Sequence, residues 1–293
     1  MSLSMLLERA NAKSKGTSEK LETAPTKFVE ADGIRFAYRS FGSTSGTPLV
    51  FLQHFSGTMD DWDPAVVNGL AKDRPVVVFD NTGVGKSSGK TPDNVLQMAT
   101  DAARFMSALG VRNVDLLGFS LGGLVAQQLA VDHPELVRRI VLAGTAPQGG
   151  DEHLLKVLGE AFSQKDASDP RLYLFFTHSG ASQAAGRAFL ARVNSRKADR
   201  DPPSGKEITD PQAKAIITWC AMKDPEHSIL KAISQPVLVV NGSNDIMLPT
   251  ENSYVMFKHL KDAKLILYPD SGHGALFQYA DDFVYQTTRF LTD

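Results

Sequence analysis

Short apolar runs of strand length alternate along the chain with longer segments whose apolar residues recur every three to four positions, the pattern of a parallel sheet with helical crossovers. Near the beginning, Phe28 to Ala31 and Ile34 to Phe41 flank Asp32-Gly33, a turn pair that predicts an antiparallel hairpin. Further runs follow at Leu49 to Leu52, Val76 to Phe79, Val114 to Gly118 and Ile140 to Ala143, each ending in polar or glycine-rich residues. In a parallel sheet such strand ends lead into the loops where ligands bind. The spacing predicts helices over 95–109 and 121–131, the second ending at Asp132-His133-Pro134.

The strand rhythm stops over 147–234, where helix-like pieces are separated by Gly180, Gly186 and Asp201-Pro202-Pro203-Ser204-Gly205. It resumes with a strand at Val237 to Val240, a helix over 251–260, a strand at Leu265 to Tyr268 and a closing helix over 275–291. The expected organisation is a tail over 1–25, a core over 26–146 and 235–293, and a helical insertion over 147–234. A length of 293 residues suits one such core plus an insertion.

Composition narrows the function classes. Hydrophobic residues at 42% and charged residues at 22% are ordinary globular values that exclude a disordered or fibrous chain. With 31 basic against 33 acidic residues, the net charge of -2 leaves no footprint for nucleic acid or anionic membrane. No apolar run is long enough to span a bilayer, and residues 1–20 lack the apolar stretch of a signal peptide. The single cysteine, Cys220, fits a reducing compartment, so a cytoplasmic location is expected. No metal-ligand cluster or dinucleotide fingerprint occurs, and neither a metal nor an organic cofactor is expected.

The sharpest chemical signal is Gly118-Phe119-Ser120-Leu121-Gly122, between a predicted strand and a predicted helix. A serine on so tight a turn projects its hydroxyl from the sheet, and glycines two residues before and after relieve the crowding. The bland alternative is a serine that merely caps the helix. A serine hydroxyl becomes a nucleophile at neutral pH only with a histidine in reach and a carboxylate to hold that histidine's tautomer. Asp245, in Asn241-Gly242-Ser243-Asn244-Asp245, and His273, in Ser271-Gly272-His273-Gly274, each follow a strand-like run and supply both in the order Ser, Asp, His. Asp151 is a rival carboxylate. The glycines beside His273 are expected to keep its imidazole approachable.

On these motifs the chain resembles the α/β-hydrolase superfamily over everything except the tail: a mostly parallel sheet flanked by helices, with a helical lid insertion. That family commonly has His-Gly-x-Pro-Gly-Ser after an early strand, where this chain reads Gln53-His54-Phe55-Ser56-Gly57-Thr58. The resemblance implies an oxyanion hole from the backbone N–H groups of Phe55 and Leu121. His54 either orients this loop or touches substrate. Asp80 to Ser87 resembles a family turn that supports the site; its Gly85-Lys86-Ser87 fails the phosphate-loop spacing, because Asp80 stands where the first glycine belongs.

In such a fold the insertion covers the pocket. Phe175 and Phe176, with Trp219 and Met222, are expected as apolar walls, and His178 as a hydrogen-bonding group. The implied activity is hydrolysis of a small or medium, largely apolar ester or lactone through an acyl-enzyme. Carbon–carbon bond hydrolases and cofactor-independent perhydrolases share the same triad, and a slow-turnover small-molecule binding protein is the reading of another class. The expected partner is a small-molecule substrate, with a homo-oligomer left open.

Overall fold

The computed structural model describes residues 19–164 and 169–292. Eight strands form one sheet in the order β1-β2-β4-β3-β5-β6-β7-β8. The hairpin of β1 (Lys27–Ala31) and β2 (Ile34–Gly42) turns through Asp32 and Gly33, both at positive φ as a tight two-residue turn requires. Strand β2 also runs antiparallel to β4 (Pro75–Phe79), and all remaining pairs are parallel. Strands β3 (Leu49–Leu52), β5 (Val114–Phe119) and β7 (Val237–Gly242) are buried along their whole length, which explains their largely apolar character; the buried Asp115 of β5 is paired with Arg74 and Arg138. The sheet is completed by β6 (Val137–Ala143) and β8 (Ala263–Tyr268).

Connections from β3 and β5 leave in opposite directions, toward β4 and β6 respectively. This switch point opens a crevice at the carboxyl ends of the two strands. Helix α1 (Pro64–Leu70) follows β3, α2 (Val95–Ala108) follows β4, and α3 (Leu121–Asp132) leads from β5 back to β6. Helix α1 was not evident in the hydrophobic pattern; it is short and begins at Pro64 with Asp63 as its cap.

Between β6 and β7 lie α4 (Leu154–Ser163), α5 (Arg171–Phe175), α6 (Gly180–Val193), α7 (Lys206–Ala221) and α8 (Ser228–Ala232). Helix α9 (Glu251–His259) precedes β8. The predicted closing helix is two pieces, α10 (Ala275–Gln278) and α11 (Ala280–Thr292), broken at Tyr279. Most of the expected tail lies outside the described residues. Its last part is no tail: Leu21 and Ala24 are buried, and Arg196 donates to both of their carbonyls.

Three aspartates after β3 tie this helical segment to the sheet. Asp63 takes a two-pronged bond from Arg192 at 2.8 and 2.6 Å, and Asp61 pairs with Arg171 at 2.9 Å. Asp60 pairs with the fully buried Arg39 at 2.6 Å and accepts the backbone N–H of Asp201 at 2.7 Å. A two-pronged guanidinium–carboxylate pair fixes orientation as well as distance.

Burial, reinforced by the nearby Asp60, pushes the Asp201 carboxyl up to about 6, despite Arg39 and Lys86 close by. A carboxyl whose folded pKa lies above its unfolded value stabilises the fold while protonated and loses that contribution as pH rises through the folded pKa. Wild type is therefore expected to lose stability relative to Asp201→Asn as the pH climbs from about 4 to about 7.5. Urea midpoints across that range check this; parallel profiles for the two proteins would contradict it.

Candidate active site

Ser120 stands between β5 and α3 at φ 55° and ψ −120°, a strained backbone for a residue with a side chain. Three bonds hold it there. Its N–H donates to Ala143 O at 2.9 Å, and its carbonyl accepts from Gly123 N and from Thr145 Oγ1, both at 2.8 Å. The turn is so tight that a Cβ on Gly122 would lie 1.9 Å from Leu52 O, and one on Gly118 would lie 2.4 Å from Gly122 O. Glycine is thus demanded at 122 by the close passage of α3 over β3, and at 118 by the passage of the same helix over the end of β5.

His273 and Asp245 reach the same crevice from the loops after β8 and β7. His273 Nδ1 lies 2.8 Å from Asp245 Oδ2, with both side chains buried. The other carboxylate oxygen accepts the N–H groups of Met247 at 2.9 Å and Leu248 at 3.1 Å. A carboxylate so placed makes Nδ1 the donor and leaves Nε2 with the lone pair. That Nε2 is buried and has no hydrogen-bond partner among the described residues, Ser120 Oγ included. Catalytic bonds of this kind are often long in unliganded proteins and tighten when substrate seats.

The rival Asp151 is exposed. Its backbone is pinned by Asn252, and its carboxylate makes no bond to His273. The glycines flanking His273 do something other than keep the ring approachable. Gly274 N donates to Phe175 O at 2.9 Å, and a Cβ on Gly274 would fall 2.7 Å from Phe175 Cβ, so they admit the backbone of α5.

The loop after β3 is braced from within. Gln53 Nε2 donates to Thr58 O at 2.5 Å, Gln53 Oε1 accepts His54 N at 2.8 Å, and Ser56 N donates to Gln212 Oε1 on α7 at 2.6 Å. His54 Nδ1 lies 2.7 Å from Phe55 O, and its Nε2 is buried without a hydrogen-bond partner among the described residues. Burial pushes its pKa down to about 4, against an opposing pull from Asp61. The backbone N–H groups of Phe55 and Leu121 make no hydrogen bond among the described residues.

The Asp80 turn is a support. Asp80 accepts Met59 N at 2.9 Å and Lys86 N at 3.0 Å, and Gly85, at φ 55°, passes so close that a Cβ there would meet its carboxylate at 2.3 Å. The Lys86 N–H thus turns onto this carboxylate, which burial and the neighbouring Asp201 hold well above the usual carboxylate range.

A cavity of about 830 Å³ is bordered by Ser120, His273, His54 and Phe55, and by residues of α4, α5 and α7. Phe175 and Leu174 supply its inner apolar wall, while Leu155, Leu158 and Phe162 of α4 form an apolar stripe on it. Of the six residues expected to contact substrate, only His54 and Phe175 border it. Phe176 packs inward on Phe189, and Trp219 is buried on the inner face of α7. Met222 is exposed past the end of that helix, and His178 is exposed against Tyr173. Helical phase explains Trp219, which lies on the face of α7 turned toward the protein interior; Phe176 stands just past the end of α5 in extended backbone, which carries its ring onto Phe189.

Missed by the sequence reading were the charged residues of the wall, notably Asp61, Asp169, Arg171, Arg200 and Asp201. The apolar wall expected from the sequence is present beside these charged groups. Arg171 is fully engaged by Asp169 and Asp61, a pairing of residues 110 apart in the chain that no local pattern announces. Among the described residues, no group of three or more His, Cys, Asp or Glu side chains is placed to hold a metal ion, and no helix is long and apolar enough to cross a membrane.

The steric account of the turn predicts that Gly122→Ala costs about 3 kcal/mol or more, measured by chemical denaturation. A loss within about 0.5 kcal/mol would contradict it.

The α/β hydrolase fold family matches residues 47–279. A solved structure of an α/β hydrolase fold protein from Chitinophaga pinensis is similar with a TM-score of 0.89 and 44% identity, over 93% of this chain and 99% of that one. The 2-hydroxy-6-oxo-6-(2'-aminophenyl)hexa-2,4-dienoic acid hydrolase of Metapseudomonas resinovorans is 27% identical, with 96% of each chain covered. A pimeloyl-(acyl-carrier protein) methyl ester esterase of Nitrosomonas europaea is also 27% identical, over 82% of this chain and 94% of the relative. With a crevice at the switch point of its sheet and a match over most of its length, the chain belongs to the α/β-hydrolase fold family of enzymes.

Proposed function

We propose that this protein is a serine hydrolase that cleaves a small or medium carboxylic ester or lactone through an acyl-enzyme on Ser120. The observation that carries this reading is the bond between His273 Nδ1 and Asp245 Oδ2, which leaves a lone pair on Nε2 of a ring bordering the same cavity as Ser120.

In this reading Nε2 takes the Ser120 proton as Oγ bonds to the substrate carbonyl carbon. The carbonyl electron pair moves onto oxygen, where the N–H groups of Phe55 and Leu121 stabilise it. Collapse breaks the bond to the leaving alcohol, which takes the proton from His273. Water then adds by the same route, giving up its proton to His273, and releases the acid and free Ser120. Residues 147–234 act as a lid, with His54 and Phe175 touching substrate. Phe176, His178, Trp219 and Met222 have no part in it.

The cavity suits a substrate with an apolar acyl part near Phe175 and a polar portion toward the ion-paired wall. The esterase from Nitrosomonas europaea supports the ester reading. A second reading, cleavage beside a ketone by the same residues, is supported by the relative from Metapseudomonas resinovorans, which is named for hydrolysis of an oxo-dienoic acid.

Turnover of aryl esters, lactones and vinylogous diketones by wild type and Ser120→Ala tests the proposal. Ester or lactone turnover that falls at least ~10³-fold in the variant is expected. Turnover of the diketones alone selects the second reading, and turnover that survives the substitution overturns both. Asp245→Asn is expected to lower kcat by roughly 10² to 10⁴, and Asp151→Asn by less than about twofold. The reverse order would move the acid to Asp151.

A further inference from the structure

His54 departs from the family's pattern, and its surroundings are built around its imidazole. The ring lies edge-on to Phe119 at 5.3 Å and to Phe175 at 5.6 Å, and the same two rings flank His273 at 5.0 and 5.6 Å. Two imidazoles therefore share one aromatic wall beside Ser120, and both border the cavity.

The tautomer follows from the partner. Phe55 O, 2.7 Å from Nδ1, only accepts, so Nδ1 carries the hydrogen and Nε2 the lone pair. Only 6% of His54 is exposed, and its Nε2 has no partner among the described residues. An acceptor left unpaired in the interior is costly, and native proteins keep few of them. A phenyl ring would serve the aromatic packing equally well. With its pKa pushed down to about 4 by burial, the ring remains an acceptor through the neutral range.

The position of the acceptor points to its ligand. The imidazole hangs from the carbonyl of Phe55, the residue whose N–H would hold the oxyanion, while Gln53 and Gln212 fix the loop on either side. His54, Phe55 and Ser120 border one cavity, so a molecule whose carbonyl is at Ser120 has His54 beside it.

We propose that His54 is a specificity-determining residue whose Nε2 accepts a hydrogen bond from a hydroxyl or N–H on the carbon next to the scissile carbonyl, so that the site selects acyl groups bearing such a donor. This inference rests on the serine-hydrolase reading for the placement of the carbonyl. A site built around a substrate donor rejects the analogue that lacks it, because its own buried group is then left unpaired.

The test compares two esters that differ by one hydroxyl, 4-nitrophenyl mandelate and 4-nitrophenyl phenylacetate, with wild type, His54→Phe and His54→Gln. In parallel, calorimetry gives the affinities of mandelamide and phenylacetamide, which report on His54 without turnover. The readout is the ratio of kcat/KM, or of affinity, for the hydroxylated over the plain member, whatever change the two share. The ratio is expected to fall at least ~10-fold in His54→Phe and to recover in part in His54→Gln, whose Oε1 offers an acceptor. His54→Leu replaces the phenylalanine variant if that does not fold. An unchanged ratio in both series overturns the proposal and leaves the imidazole a brace for its loop. If wild type cleaves neither ester but the amide ratio still depends on His54, the donor-binding role stands, and the hydrolase reading is decided by the wider substrate panel and Ser120→Ala.

Discussion

The close passage of α3 over the end of β3 is the constraint on which the rest of the site depends. The backbone turns from strand to helix within one residue, so Ser120 is forced to positive φ and only glycine fits at 118 and 122. Such strain persists where surrounding structure over-determines it, here through Ala143, Gly123 and Thr145. The same turn lifts the serine side chain off the sheet and leaves the Leu121 N–H at the start of a helix without a partner among the described residues. One steric fact thus sets the place of the hydroxyl and the field around it.

Around that turn, the loops after β3, β7 and β8 are held by short polar networks rather than by apolar packing alone. Gln53 braces the first, Asp245 accepts two backbone N–H groups in the second, and the third is clasped by the Phe175 carbonyl. The aspartates at 60, 61 and 63 then join the first loop to the helical segment above it. Pocket and sheet share these ion pairs, so the shape of the cavity is coupled to the stability of the helical segment between β6 and β7.

The parts legible in the sequence were those encoded locally. Alternation and turn chemistry located the strands, and glycines at fixed offsets marked Ser120; strand-then-loop placement separated Asp245 from Asp151. What escaped was set by distant pairing. Arg171 reads as one more surface arginine until Asp61, far away in the chain, is brought beside it. Trp219 and Phe176 show the converse: large aromatics in the insertion suggest a pocket, yet the helical phase of Trp219 and the extended backbone at Phe176 turn both into the interior. Leu21 and Ala24 looked like tail because two small contacts have no periodicity.

The most direct test of the account is reaction of the intact protein with a fluorophosphonate, followed by peptide mapping of the adduct. A single adduct on Ser120, lost when the protein is denatured before labelling, is the predicted result, because the hydroxyl is reactive only where the fold sets His273 beside it. An adduct on another residue, or labelling that survives denaturation, would contradict the assignment of Ser120 as the nucleophile.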